Sequence, residues 1–431
     1  MKKTLIILGA IFLIVVGVFW WLLKVEDAKY TELYAIPSFE PTPPFLNESQ
    51  EAWDIFQKSK SLIEDSSEKI AVPSRLSLAE AEFSTLEPYE KALAALPPLL
   101  QYEGMALPAV LENPLEENLD YKNSYLIKAS VVQAWKHIKE NRLDEAITAW
   151  QLSMHLSYMF RYGARDSIIT SIGIGYTQSN LKTLSMLMEE KVWESPEQYK
   201  KLLPIIKKAA LTDHNPMAES YRHQSIQNQF LFKNPLIGAK PEEVSTEERL
   251  MMSWTYDSEL TLAWGRAYDR DMFAYLQKNY VERLKPENLP VLPFEESNTP
   301  IISRLHNPIG RVLLSVAIPN LNGLQNNSDY LKANLRVALV LCAARLYMWE
   351  NEGTLPQSID DLIPTYLSKA PIDPYENKKS IQLKDGKVWS AFYTDSSLKE
   401  ENRNVILAYM MRDIQTPNPP VKEESRRTKK R

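Results

Sequence analysis

The chain has 431 residues, a single cysteine, 44% hydrophobic and 24% charged residues, and a formal net charge of −5. That length and apolar content suffice for one large packed domain or two smaller ones, and one cysteine excludes an intramolecular disulfide as their support. The segment after Asn418 holds six basic and two acidic residues, so the remainder is more acidic than the total; such a body is not a nucleic-acid groove, and no nucleic-acid partner is expected.

Lys2 and Lys3 precede Thr4 to Leu23, twenty residues without a charge. At roughly 1.5 Å per residue that run matches the roughly 30 Å hydrocarbon core of a bilayer, and Trp20 and Trp21 fall at its far end, where aromatic rings prefer the interface. Basic residues before the span, and Glu26 and Asp27 beyond it, favour an N-terminus in the cytoplasm. Residues 1–24 are therefore predicted to be an uncleaved transmembrane anchor, with the bulk of the chain extracytoplasmic. The localisation this implies is single-pass, in the inner (cytoplasmic) membrane, with the lipid bilayer as a first partner. Residues 25–47, with Pro37, Pro41, Pro43 and Pro44, read as a proline-rich stalk.

From 48 to 330 the pattern is helical. Apolar residues recur three and four apart in Glu48 to Asp65, Leu76 to Leu96, Tyr121 to Asn141, Leu143 to Met159, Asp166 to Met188 and Pro196 to Leu211. Within this run Ala134-Trp135, the turn Glu140-Asn141-Arg142-Leu143, then Ala146 and Trp150 resemble one tetratricopeptide-type helical pair. No matching unit follows about 34 residues later, so a single antiparallel hairpin is expected. Gly173 and Gly175 interrupt an apolar helix, each costing about 1 kcal/mol against alanine. Close approach of another backbone explains them better than a phosphate loop, whose glycine spacing and preceding strand are missing.

Residues 212–285 mix aromatic and charged side chains. His214, Glu219 and His223 are the nearest approach to a metal constellation, but the two imidazoles lie nine residues apart with Pro216 between them, which does not face them on one ion; no metal and no cofactor are expected. Asp257, Glu259, Asp269 and Asp271 surround Trp254 and Trp264, a combination that could bind sugar by stacking or, with carboxylates about 5 to 9 Å apart, cleave a glycosidic bond. Arg266 and Arg270 offer the same carboxylates ordinary helical ion pairs. No other catalytic constellation stands out. Glu287 to Asn298 is a linker or long loop, and Asn307-Pro308-Ile309-Gly310 opens another helix, Arg311 to Ile318.

Leu331 to Trp349 reads as a long helix interrupted only by Lys332, Asn334, Arg336 and Arg345, apolar enough all round to lie inside a bundle. Arg336 and Arg345 must then each reach a carboxylate, a set of carbonyls or the surface. Glu352-Gly353 ends this helix, Pro356 prevents its resumption, and Ser358 caps a short helix ending at Leu362. Ala343 and Tyr347, Glu352-Gly353-x-x-Pro356, Leu362, Tyr366-Leu367 and Pro371-x-Asp373-Pro374 together resemble the segment after the membrane helix of type II secretion major pseudopilins. They are similar, too, to the C-terminal block of uncharacterised membrane-anchored bacterial proteins. The resemblance covers about a fifth of the chain and implies that Gly353 to Pro374 clamps the long helix against a C-terminal hairpin. The glycines of that family's calcium loop are missing from Asp395 to Glu401.

Ser380 to Lys384, Asp385-Gly386 and Lys387 to Tyr393 form a β-hairpin, because Asp-Gly meets the positive φ a tight turn needs; Asn404 to Met410 offers a third strand. Residues 331–412 thus form a pseudopilin-like helix plus hairpin, and 413–431 a disordered basic tail. The fold expected is mainly α, an anchored extracytoplasmic helical bundle with a small C-terminal antiparallel hairpin or three-stranded sheet. The function expected is non-enzymatic, protein contacts in the bacterial cell envelope, in a secretion or assembly setting with envelope proteins as partners. The competing reading is an extracytoplasmic glycoside-type hydrolase using residues 254–271. Nothing in the sequence fixes the oligomeric state.

Overall fold

The computed structural model describes residues 18, 31–39, 45–63, 70, 83–107, 123–164, 167–189, 195–233, 245, 255–294, 307–317, 321–376, 379–384 and 387–391. The protein is mainly helical. Among these residues no helix is long and apolar enough to cross a membrane. Apart from Val18, the expected anchor at 4–23 lies outside the described residues, as do Trp254, the Asp385-Gly386 turn, the expected third strand at 404–410 and the tail 413–431.

Near the start, the two-residue strands β1 (Glu48–Ser49) and β2 (Gly104–Met105) pair in parallel. Ser49 then caps α1 (Gln50–Ser61), its hydroxyl accepting from the Ala52 amide at 3.1 Å. A 3-10 turn leads into α2 (Glu90–Ala95), and Leu86, Leu93, Leu96 and Leu99 are buried in one N-terminal core with Ala52 and Phe56 of α1. The helical pair is α3 (Asn123–Lys139) and α4 (Leu143–Gly163), reversed at Asn141, which takes a positive φ of 58°. Ala146 and Trp150 are fully buried between them and their neighbours.

Helix α4 is the partition of the molecule. Leu152, Leu156, Met159 and Phe160 face the N-terminal core with α1 and α2, while Trp150, Met154 and Tyr158 face a larger core. A helix packed on both sides must be apolar nearly all round, and α4 is. The larger core holds α5 (Ser167–Glu189), α6 (Pro196–Leu211), α7 (Pro216–Lys233), α8 (Ser258–Gln277), α9 (Pro308–Ala317) and α10 (Leu321–Glu350). At Gly173 a Cβ would stand 2.5 Å from the Arg161 nitrogen and 2.8 Å from its Cα, so α5 approaches the backbone of α4 as closely as only glycine permits. At Gly175 nothing lies within 4 Å.

Helix α10 ends as its sequence requires. Glu352 and Gly353 adopt positive φ of 53° and 84°, and the Gly353 amide returns to the Met348 carbonyl at 2.8 Å. Ser358 and Asp361 form a capping box on the 3-10 turn Ile359–Leu362, and Leu362 and Leu367 are buried in the larger core beside α10. Strands β3 (Gln382–Lys384) and β4 (Lys387–Trp389) pair antiparallel, with Leu383 opposite Val388. The sheet described has two strands.

Two boundaries differ from those read in the sequence. The expected stalk, 25–47, is not a free spacer over its described part: Leu33 packs on the larger core, the Ile36 carbonyl accepts from Arg266, Phe39 meets the Phe273 ring, and Leu46 is buried. The expected division at 331 also falls inside one helix, because α10 begins at Leu321 and one continuous core joins it to α4, α6 and the C-terminal hairpin.

Candidate functional site

The carboxylates nominated from the sequence lie along α8 and do not converge. Asp257 is its N-cap, accepting from the Leu260 amide at 2.9 Å. Glu259 is exposed in the first turn. Asp269 is buried and accepts from the Tyr221 hydroxyl at 2.5 Å and from the Ser225 hydroxyl, and burial raises its pKa to about 6. Asp271 is exposed and bonds Arg270 at 2.9 Å. Asp257 and Asp269, twelve residues apart, are separated by roughly 18 Å along the helix, and Trp264 is fully buried between them with Phe294 against its ring. His214 stacks on Phe45 with ring centres 4.0 Å apart, and Glu219 faces Arg222 at 3.8 Å. No group of three or more metal-ligating side chains is found among the described residues.

A different set of residues does converge. Where the C-terminal end of α4, the 212–215 connection, the end of α8, the Tyr280–Arg283 turn and the N-terminal half of α10 meet, they line a cleft of about 240 Å³. Its charged lining is Arg161, Lys278, Arg283, Lys332 and Arg336 against Asp213 and Asp329. Helix α10 contributes Gln325, Ser328, Asp329, Lys332 and Arg336, spaced so that they share one face. The N-terminus of the 18-residue α7 opens at the same place, with Asn215 accepting from the Met217 and Ala218 amides.

Each cation has a distinct hold. Arg336 is buried; its Nε donates to the Ala210 carbonyl at 3.2 Å, Nη1 to the Ile372 carbonyl at 2.6 Å and Nη2 to Asp213 Oδ1 at 3.0 Å. Lys332 Nζ lies 3.7 Å from the same Asp213 oxygen. Burial, reinforced by Arg336, lowers the Lys332 pKa to about 8, although Asp213 acts in the opposite sense. Arg283 bonds Asp329 and the Lys278 carbonyl. Arg161 differs from the others. It is 2% exposed, its guanidinium lies 4.7 Å over the Tyr162 ring, and neither Nε nor Nη1 has a hydrogen-bond acceptor among the described residues.

The C-terminal clamp builds one wall of this cleft. Asp373 is buried and accepts from the Tyr375 amide at 2.9 Å, the Ser390 hydroxyl at 2.8 Å and the Ala391 amide at 2.7 Å. That network fixes the turn whose Ile372 carbonyl meets Arg336 and whose Pro374 lines the cleft. The expectation for the two arginines of the long helix is met: Arg336 finds two carbonyls and a carboxylate, and Arg345 is only half-buried.

The arrangement can receive an oxyanion through charge-assisted hydrogen bonds. Sequence reasoning treats Lys332 and Arg336 as interruptions of an apolar helix and misses Arg161 altogether. The available signal is the polar stripe 325, 328, 329, 332 and 336. Cys342 is buried in the core, its thiol pKa pushed up to about 12 by burial, and takes no part in the cleft. Comparison with protein-family models, with curated proteins and with solved structures finds no match to this chain.

Proposed function

We propose that this is a membrane-tethered, extracytoplasmic helical protein that acts by binding in the bacterial cell envelope, and that its cationic cleft receives an anionic group of what it binds. The observation that carries this reading is Arg161, almost wholly buried, lining the cleft, with two nitrogens, Nε and Nη1, that no acceptor meets among the described residues. A buried guanidinium is costly without a partner, and an anion in the cleft offsets its charge. The uncharged run 4–23 supports the tether, and the pseudopilin-like clamp supports a secretion or assembly setting. Binding is favoured over glycoside hydrolysis because Asp257 caps its helix, Asp269 is enclosed by Tyr221 and Ser225, and Asp271 faces Arg270.

The test uses the full chain in detergent, with thermal unfolding followed at constant ionic strength in acetate, succinate, sulfate and phosphate. At least one polyvalent anion should raise Tm for the natural protein and fail to do so for Arg161→Met. No anion-specific shift would remove the reading. Protease added to intact spheroplasts should digest the helical domain, and a protected full-length chain would overturn the orientation.

A further inference from the structure

We infer that the cleft is built for a dianionic tetrahedral oxyanion, a phosphate or small phosphomonoester, and that this group enters by replacing the carboxylate of Asp213. The inference rests on the reading that the cleft binds anions and concerns which anion it takes and how.

Charge comes first. Five cationic side chains line the cleft against two carboxylates, so a monoanion would leave most of the excess unanswered while a dianion answers more of it. Asp329 is already engaged by Arg283 and by Gln325 at 3.2 Å. Lys278 is held by the Asn288 side-chain oxygen at 2.6 Å. The cations left to answer an incoming anion are Arg161 and the pair Lys332 and Arg336, which share one oxygen of Asp213.

Asp213 has the marks of a place-holder. Its side chain is 72% exposed, yet its Oδ1 sits at the point where Arg336 Nη2 and Lys332 Nζ converge. An exposed carboxylate on a connection between helices can swing into solvent at small cost. The donors it leaves behind stay aimed, because the Ala210 and Ile372 carbonyls hold the other two nitrogens of Arg336 independently. An incoming oxygen at that point meets a guanidinium N–H and an ammonium one helical turn apart on α10.

Shape and size narrow the class further. Arg161 approaches from α4 and the other two cations from α10, so donors reach the cleft from two walls. A phosphoryl group, with terminal oxygens pointing in several directions, accepts from both walls, whereas a planar carboxylate presents two oxygens to one side. The volume, about 240 Å³, falls just below the roughly 300 Å³ at which drug-sized pockets begin. A phosphoryl group with a short substituent fits that space, and a nucleotide does not.

Titration calorimetry of the full chain in detergent at neutral pH and constant ionic strength tests this, with inorganic phosphate, glycerol 3-phosphate, sulfate and acetate as probes. Phosphate and glycerol 3-phosphate should bind at least roughly tenfold more tightly than acetate, and Arg161→Met should weaken both by roughly tenfold or more. Asp213→Asn should tighten both, because the competing carboxylate is gone while the donors remain. Glycerol 3-phosphate affinity should rise as the ester's second proton leaves near about 6, whereas sulfate affinity should not; both should fall above about pH 8 as Lys332 loses its charge. Vesicles containing phosphatidic acid distinguish a lipid headgroup from a soluble ester: displacement of glycerol 3-phosphate by the vesicles identifies the lipid as the source, and its retention identifies the soluble ester. Acetate binding as tightly as phosphate, or weaker binding by Asp213→Asn, would overturn the inference while leaving anion binding standing. No heat and no Tm shift with any probe would overturn the anion-binding reading itself.

Discussion

Arg336 donates from Nη1 to the carbonyl of Ile372 at 2.6 Å, so a cation of the long helix is held by the backbone of the loop that closes over it. Arg336→Met would strip that carbonyl and the Ala210 carbonyl of a charged donor. Hydrogen bonds to charged groups are worth about 1.5 to 3 kcal/mol each, so loss of the two should lower stability in urea unfolding by about 3 to 6 kcal/mol. Asp213→Asn removes only the exposed partner of the same arginine and should cost less than about 1 kcal/mol.

Leu362 is fully buried in the larger core beside α10. Truncation to alanine leaves a cavity beneath the clamp, and the denaturation midpoint should fall by the equivalent of about 2 to 5 kcal/mol.

The two glycines of α5 should respond in opposite directions. Gly173→Ala puts a methyl group 2.5 Å from the Arg161 nitrogen, where backbone rather than a flexible side-chain end must move. It should destabilise by about 1 to 3 kcal/mol or more and blunt the anion-dependent Tm shift. Gly175→Ala meets nothing within 4 Å and should stabilise by up to about 1 kcal/mol through helix propensity.

Asp269 supplies a pH dependence. Burial raises its carboxyl from 3.8 to about 6 in the folded protein, so the folded state binds the proton more tightly than the unfolded chain does. The corresponding stability is fully present below about pH 4 and is lost as pH rises through about 6. Relative to Asp269→Asn, which does not titrate, the natural protein should lose on the order of 3 kcal/mol from about pH 3 to about pH 7. Parallel urea titrations of the two proteins across that range measure the difference, and a flat difference would contradict it.

The remaining carboxylates of α8 separate binding from hydrolysis. Asparagine caps a helix about as well as aspartate, and Asp271 is exposed beside Arg270, so Asp257→Asn and Asp271→Asn should each lie within about 0.5 kcal/mol of the natural protein. Partner recovery from membranes should be unchanged in both. Loss of a glycoside-cleaving activity with stability intact would favour the hydrolase instead.

Local features are legible where one stretch of chain contains its own cause. Gly353 ends α10, Ser358 caps the next turn, Asn141 reverses the helical pair, and Gly173 marks a close backbone approach. The sequence pattern places the start of α10 ten residues late, because Asn322, Gln325, Asn326, Asn327, Ser328 and Asp329 look like loop composition. Burial of Leu321 and a polar wall for that helix to face override the weak propensity. Asp373 stands inside a recognised turn motif, but its three donors include Ser390 and Ala391 on the far side of the hairpin. The cleft itself has no local signature, since Arg161, Asp213, Arg283 and Arg336 are brought together only by tertiary packing.

That dispersal sets when the cleft can exist. During synthesis the ribosome delivers Arg161 long before Lys332 and Arg336, and the Ile372 carbonyl that steadies Arg336 emerges later still. Contacts so distant in sequence form late, after the local helices have condensed. A nascent or truncated chain would therefore present helices without the assembled cleft, which is complete only once the whole domain, through its C-terminal hairpin, has reached its finished form.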